Sequence, residues 1–187
     1  MSSLLLAFLR LLRLYQSQSE QFDMELSHSE PSLSSPSREQ LVAWRVFLEC
    51  AFALIDILDA ELRAERGMTL RWYDVLVKLE GAEGGLRMNE LASRILASKS
   101  GLTSVVDRME EEGLVRRERP PGDRRVVLVF ITPEGIEALN AARVVHRRGI
   151  HEHFVQHLDQ RDLAALAHMF EKVRDHVRPL RPGRVSS

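Results

Sequence analysis

The sequence predicts an α+β fold, mostly helical, with one small antiparallel hairpin. Three observations predict it. Two long stretches carry apolar residues spaced alternately three and four apart, the mark of a helix with a single apolar stripe. Two short helical segments lie between those stretches, at 88–96 and 100–112. Two strand-like runs then flank the turn sequence Pro120-Pro121-Gly122-Asp123-Arg124-Arg125.

The elements follow in chain order. Residues 1–37 are expected to form a weakly ordered extension. Ser2 to Tyr15 is apolar with two arginines and no acid, and Gln16 to Ser37 is polar and serine-rich. A secretory signal does not fit, because no basic region precedes the apolar run, arginines interrupt it and no small-residue cleavage site follows. A floppy extension, an amphipathic helix or a start codon placed too early, with Met24 as the alternative, remain as readings of residues 1–23. From about residue 38, Leu41, Trp44, Leu48, Ala51, Ile55, Leu58 and Leu62 form one stripe of a first helix that Gly67 stops near residue 66. A second helix starts near Thr69, carries Trp72, Val75, Leu76 and Leu79, and ends before the loop from Gly81 to Gly85. The third and fourth helices are Met88–Leu96 and Ser100–Glu112, with Gly113 as a C-terminal stop. Leu114–Arg119 and Val126–Ile131 form the hairpin. Thr132-Pro133 opens a fifth helix, since threonine caps free N–H groups and proline presets φ in the first turn. That helix is expected to reach about Leu158, with Gly149 a soft spot. A sixth runs from Asp159 to Val177, its stripe formed by Leu163, Leu166, Phe170, Val173 and Val177. A tail of residues 179–187 closes the chain.

Composition narrows the function classes. With 187 residues and 44% hydrophobic content the chain suffices for one core. A net charge of −1 announces no nucleic-acid ligand, but phosphate contacts need a local basic patch rather than a basic chain. Such a patch exists from Gly113 to Ile131, where Arg116, Arg117, Arg119, Arg124 and Arg125 outnumber Glu118 and Asp123. Cys50 is the sole cysteine, so neither an intrachain disulfide nor a thiolate zinc finger is expected, in keeping with a cytoplasmic chain. No apolar run approaches the roughly 20 residues that span a bilayer, and no membrane partner is expected. No Ser/His/Asp set, P-loop or dinucleotide-binding glycine pattern occurs, so neither an enzyme nor a cofactor is expected.

The segment from Met88 to Gly135 carries the functional signal. Two short helices with a tight turn, followed by a basic hairpin, make a winged helix-turn-helix. In that arrangement the fourth helix enters the major groove of DNA by its N-terminal end, where free N–H groups also favour phosphate. The residues there are Ser98, Lys99, Ser100, Thr103 and Ser104, all small or cationic donors suited to phosphates and base edges. Arg108, the one cation of the helix's acidic far half, joins them. Leu102, Val105, Val106 and Met109 should face the core. At the wing tip Arg124 and Arg125 have the reach to enter a minor groove, with Asp123 placed to hold the fork of Arg125.

These residues resemble the MarR family of bacterial transcription regulators. The likeness rests on MNELASRILASKSGLTSVVDRMEEEGLVRR, on Asp123-Arg124-Arg125 as the wing's D-x-R, on the following ITPEG and on TLRWYDVLVKLEGAEGG. It covers about residues 41–178. It implies a domain plan of a dimerisation helix at 38–66, the winged DNA-binding domain at 67–132 and C-terminal dimerisation helices at 133–178. It further implies a homodimer in which the first, fifth and sixth helices interlock, a double-stranded, near-palindromic operator, and a repressor released by a small aromatic or phenolic effector. The sequence departs from the family in one respect: Ser104 stands where members often have arginine, which shifts weight to Lys99 and the wing.

Further candidates carry chemistry of their own. His146, His151, His153 and His157 gather on the fifth helix, and His153 and His157 have the i, i+4 spacing that lets two imidazoles share a metal. No cysteine or evident carboxylate set completes a site, and no metal is expected. Cys50 invites a redox switch, but its apolar neighbours favour a small, half-buried hydrophobe. Phe47, Trp72 and Tyr73 are candidates for lining an effector site, against the commoner reading of aromatics as core. The rival to a regulator is a dimeric interaction scaffold that keeps the winged fold without DNA affinity; the net charge and Ser104 keep it open.

Overall fold

The computed structural model describes residues 35–95, 101–119 and 126–179. The chain divides into two compact units, Met1–Val46 and Phe47–Ser187. The described part of the first holds the opening turns of helix α1 (Arg38–Arg66). Ser37 and Gln40 cap it reciprocally: Ser37 N donates to Gln40 Oε1 (2.8 Å) and Gln40 N to Ser37 Oγ (3.4 Å). Two orphan donors of the first turn are thereby satisfied. The expected readings of residues 1–23 lie outside the described residues.

The second unit carries the remaining elements. After α1 come α2 (Leu70–Glu80), β1 (Leu86–Arg87), α3 (Met88–Arg94) and α4 (Leu102–Glu111). They are followed by β2 (Val115–Glu118), β3 (Leu128–Ile131), α5 (Pro133–His153), a 3-10 turn at Val155–His157 and α6 (Gln160–Val177). The fold is therefore the α+β, mostly helical one expected. Its sheet has three strands rather than two, in the order β1-β3-β2, all antiparallel, with Leu86 opposite Val129 and Val115 opposite Ile131. The two residues of β1 are too few to show a period, which is why sequence pattern placed them at the end of a loop.

Local chemistry sets the boundaries. Thr69 caps α2 by accepting from Trp72 N at 3.0 Å. Asp59, about two turns before the end of α1, accepts from Leu70 N at 2.7 Å and from Arg63 Nε at 2.6 Å, so the corner from α1 to α2 is pinned by one carboxylate. At the end of α4, Gly113 takes φ +71°, letting Leu114 N reach Met109 O (2.9 Å) and Gly113 N reach Glu110 O (3.0 Å). This left-handed closure satisfies carbonyls that would otherwise be orphaned and turns the chain straight into β2. Thr132 does double duty at the other end of the hairpin. Its Oγ1 accepts from Gly135 N (3.0 Å) and donates to Gly113 O (2.6 Å), so the start of α5 is tied to the end of α4.

The core lies where α2, α3, α4, the sheet and the first half of α5 meet. Val75, Leu76, Leu79, Leu91, Ile95, Leu102, Val106, Met109, Val115, Val129, Leu139, Ala142 and Val145 are all buried there. Each full burial of such a side chain contributes roughly 1.5–3 kcal/mol, so this one cluster holds the helix-turn-helix rigid. By contrast, no residue of α6 is buried.

Two helices end two or more residues short of expectation, and β3 starts at Leu128 rather than Val126. Helix α3 stops at Arg94, and Ile95 is extended, because the side chain of Ile95 turns into the core. Helix α5 ends at His153 instead of running to Leu158, giving way to the 3-10 turn. Gly149 is not its weak point. A Cβ there would fall on Glu61 Oε2 and within 2.6 Å of Leu58 Cδ2, so glycine is what lets α5 lie close against α1.

Candidate nucleic-acid interface

Helix α4 divides cleanly by face. Leu102, Val106 and Met109 are buried and Val105 is half-buried, as their spacing predicted, while Thr103, Ser104 and Arg108 are exposed. The exposed hydroxyls sit in the first turn, where backbone N–H groups lack intrahelical acceptors. Ser98, Lys99, Ser100, Asp123, Arg124 and Arg125 lie outside the described residues.

The acidic half of α4 has a structural use that its charge pattern did not reveal. Arg117 on β2 donates from Nη2 to Asp107 Oδ1 (2.6 Å) and from Nη1 to Glu110 Oε2 (2.7 Å). Its backbone N–H adds a third bond, to Glu110 Oε1 at 2.8 Å. One arginine therefore clamps the base of the wing to α4 and offsets part of the negative charge of Asp107 and Glu110. The signal was present in the strand alternation: Arg117 lies two residues after buried Val115, on the inward side of β2. Arg116 points the other way, pairs with Glu118 and places its guanidinium 4.6 Å from the centre of the Phe130 ring. Two of the five arginines that made the patch basic are thus spent on holding the wing together.

The aromatic candidates meet different partners. Phe47 stacks on Phe170 of α6, with ring centres 4.9 Å apart. Tyr73 stacks on His146 at 4.4 Å. Burial pushes the Tyr73 phenol up and holds the His146 imidazole below its usual range. Arg143 donates to Glu80 and to Asn140, and the Glu80 carboxyl is held below the ordinary range chiefly by its hydrogen bond from Arg143. Tyr73–His146 and Glu80–Arg143 join α2 to α5, while Trp72 is half-buried against the core.

The histidines do not converge. His146 belongs to Tyr73, His153 Nε2 lies 2.6 Å from Glu61 Oε1, and His157 Nε2 lies 3.1 Å from Glu152 O. Because the helix ends at His153, His157 leaves the helical face that the i, i+4 spacing implied. Cys50 is exposed rather than half-buried; α1 turns it away from the core. Among the described residues no helix is long and apolar enough to cross a membrane.

Known proteins share this architecture. The model of the MarR family matches residues 66–126. The chain is 31% identical over 129 residues to the HTH-type transcriptional regulator PecS of Dickeya dadantii, an alignment spanning 68% of this chain and 70% of that protein. Among solved structures, AbsC, a MarR family transcriptional regulator from Streptomyces coelicolor, superposes with a TM-score of 0.69 at 32% identity, over 78% of this chain and 98% of that one. Sco3205, a MarR family regulator from the same organism solved in complex with DNA, gives 0.70 at 32% identity, over 79% and 95%. The chain with the clamped wing and the exposed α4 head therefore belongs to the MarR family, a family of DNA-binding transcription regulators and not of enzymes.

Proposed function

We propose that this chain is a cytoplasmic homodimeric repressor that reads a near-palindromic operator and is released by a small aromatic effector. The observation that carries the reading is the face of α4: Thr103, Ser104 and Arg108 are exposed, and two of the acids behind them, Asp107 and Glu110, are paired with Arg117. Such a helix enters a major groove head first, with Ser98, Lys99 and Ser100 preceding it in sequence and Arg124 and Arg125 reaching an adjacent minor groove. The solved complex of Sco3205 with DNA supports the same use of the fold.

Dimerisation is supported by unburied apolar surface. Met169, Val173 and Val177 of α6 are 56%, 54% and 43% exposed, and Ile55 of α1 is 50% exposed. Ile55, Val173 and Val177 belong to the two seams read from sequence, Met169 adjoins the second, and a second copy would cover them. Two-fold symmetry then places two recognition helices on successive grooves, about 34 Å apart. An effector beside Trp72 and Tyr73 would act by changing that separation, since Tyr73–His146 stacking and the Glu80–Arg143 pair link α2 of the winged domain to α5.

A gel-shift titration on DNA upstream of the chain's own gene tests the proposal. Saturable binding by the intact dimer is expected, with Arg125→Ala weakening it strongly. No binding at low salt would favour the scaffold reading instead.

A further inference from the structure

Glu61 on α1 and Glu152 and His153 at the end of α5 form a cluster that DNA recognition does not use. One carboxylate oxygen from each glutamate and one ring nitrogen of the histidine all lie within 4.8 Å of one another. The carboxylate of Glu61 is the informative member. Its Oε1 lies 2.6 Å from His153 Nε2, within hydrogen-bond distance, while its Oε2 is shut from solvent and accepts no hydrogen bond among the described residues. A sealed carboxylate oxygen without a donor is costly unless a cation meets it. Gly149 faces Oε2: a Cβ at that position would fall on it, so a side chain there would push the Glu61 carboxylate aside.

We propose that Glu61, Glu152 and His153 bind a divalent first-row transition-metal ion of the zinc type. One imidazole and two carboxylates are a donor set for such an ion, and three protein ligands leave a fourth position for water. Donors at about 2.0–2.2 Å from a common zinc stand a little over 3 Å apart in tetrahedral geometry. Glu152 is exposed and free to close that gap by changing rotamer. The ion would take the place of the hydrogen bond between His153 and Glu61, and its charge would balance both carboxylates. Arg148 competes only weakly, since its Nε is 3.9 Å from Glu152 and its terminal nitrogens are engaged by Glu65. A metal here would fasten α1 to the last turn of α5, just before the chain turns towards α6. The sequence hid the site because Glu61 is 92 residues from His153.

The test is a zinc titration of the metal-stripped full chain against a chromophoric chelator, followed by cobalt(II) loading read by visible absorption. One equivalent per chain is expected. Glu61→Gln, Glu152→Gln and His153→Gln should each lower affinity at least tenfold and abolish the d–d band of tightly held cobalt. His151→Gln and His157→Gln should change neither. Glu152→Gln alters an exposed side chain, so its loss of binding cannot be assigned to misfolding. Absence of stoichiometric zinc uptake by the unaltered chain would overturn the proposal. So would uptake that survives the Glu61, Glu152 and His153 replacements, which would assign the metal to adventitious surface histidines.

Discussion

Replacing Arg117 by methionine should loosen the wing from the recognition helix and weaken DNA binding for separable reasons. Methionine keeps the apolar stem over the sheet and removes only the guanidinium. Two charge-assisted bonds are lost, to Asp107 and Glu110. A hydrogen bond to a charged group is worth about 1.5–3 kcal/mol when shielded and about 0–1 kcal/mol at the surface. The side chain of Arg117 is 23% exposed and those of Asp107 and Glu110 are 48% and 38% exposed. Each contact therefore falls near 1 kcal/mol, and the replacement should cost about 2 kcal/mol. The backbone bond from Arg117 N to Glu110 survives. Urea unfolding at one fixed protein concentration reads this loss, because the transition of the proposed dimer would depend on concentration. Double-mutant cycles with Asp107→Asn and with Glu110→Gln should each return a coupling near 1 kcal/mol. Operator affinity should fall severalfold relative to the unaltered chain at low salt, and that deficit should shrink as salt is raised, since the freed carboxylates act through a screened field while salt weakens both proteins' binding. Adding Asp107→Asn and Glu110→Gln to the Arg117 replacement should restore affinity without restoring stability. Couplings indistinguishable from zero in both cycles would refute the clamp.

Three further outcomes follow from particular contacts. Thr132→Val removes the cap on Gly135 N and the bond to Gly113 O; at about 1 kcal/mol for a cap and 1–3 kcal/mol for a buried unsatisfied group, thermal unfolding should show a loss of roughly 2–4 kcal/mol. Stability should decline as pH falls. Burial depresses His146 in the folded chain below its ordinary 6.5, so the unfolded chain takes up the proton first and stability is lost from about that pH downward. Glu80, lowered by Arg143, adds a second loss that begins near its ordinary 4.5 and is complete below its folded value. His146→Phe, which keeps a ring against Tyr73, should abolish the upper part of that pH dependence in denaturant titrations. Val173→Asp places a charge on the exposed seam of α6. It should shift sedimentation from dimer to monomer while leaving the circular dichroism spectrum unchanged.

Most of the fold was legible because its elements carry strong local marks. The Thr132-Pro133 start, the Gly113 stop and the 3-4 stripes each state one conformation, and the structure adopts it. Two-residue β1 was not legible, since its residues pair only with β3, more than forty positions away. The end of α5 was misplaced because nothing local after His153 forbids helix. At the interface, the exposed and buried faces of α4 followed directly from spacing. The clamp did not, because a run of arginines reads as one basic patch until β2 turns Arg117 inward and Arg116 outward. Carboxylates on α1 that meet the end of α5 were equally invisible, being brought there by packing at Gly149 rather than by pattern.

Hydroxyl-radical footprinting of the intact protein on DNA upstream of its own gene tests the proposed dimeric reader most directly. Two protected blocks on one face of the duplex are expected, with centres about 10–10.5 base pairs apart or a multiple of that. The blocks should appear together as protein is added. A single block that saturates at one chain per site, or uniform protection without sequence preference, would contradict a two-fold reader of a near-palindromic operator.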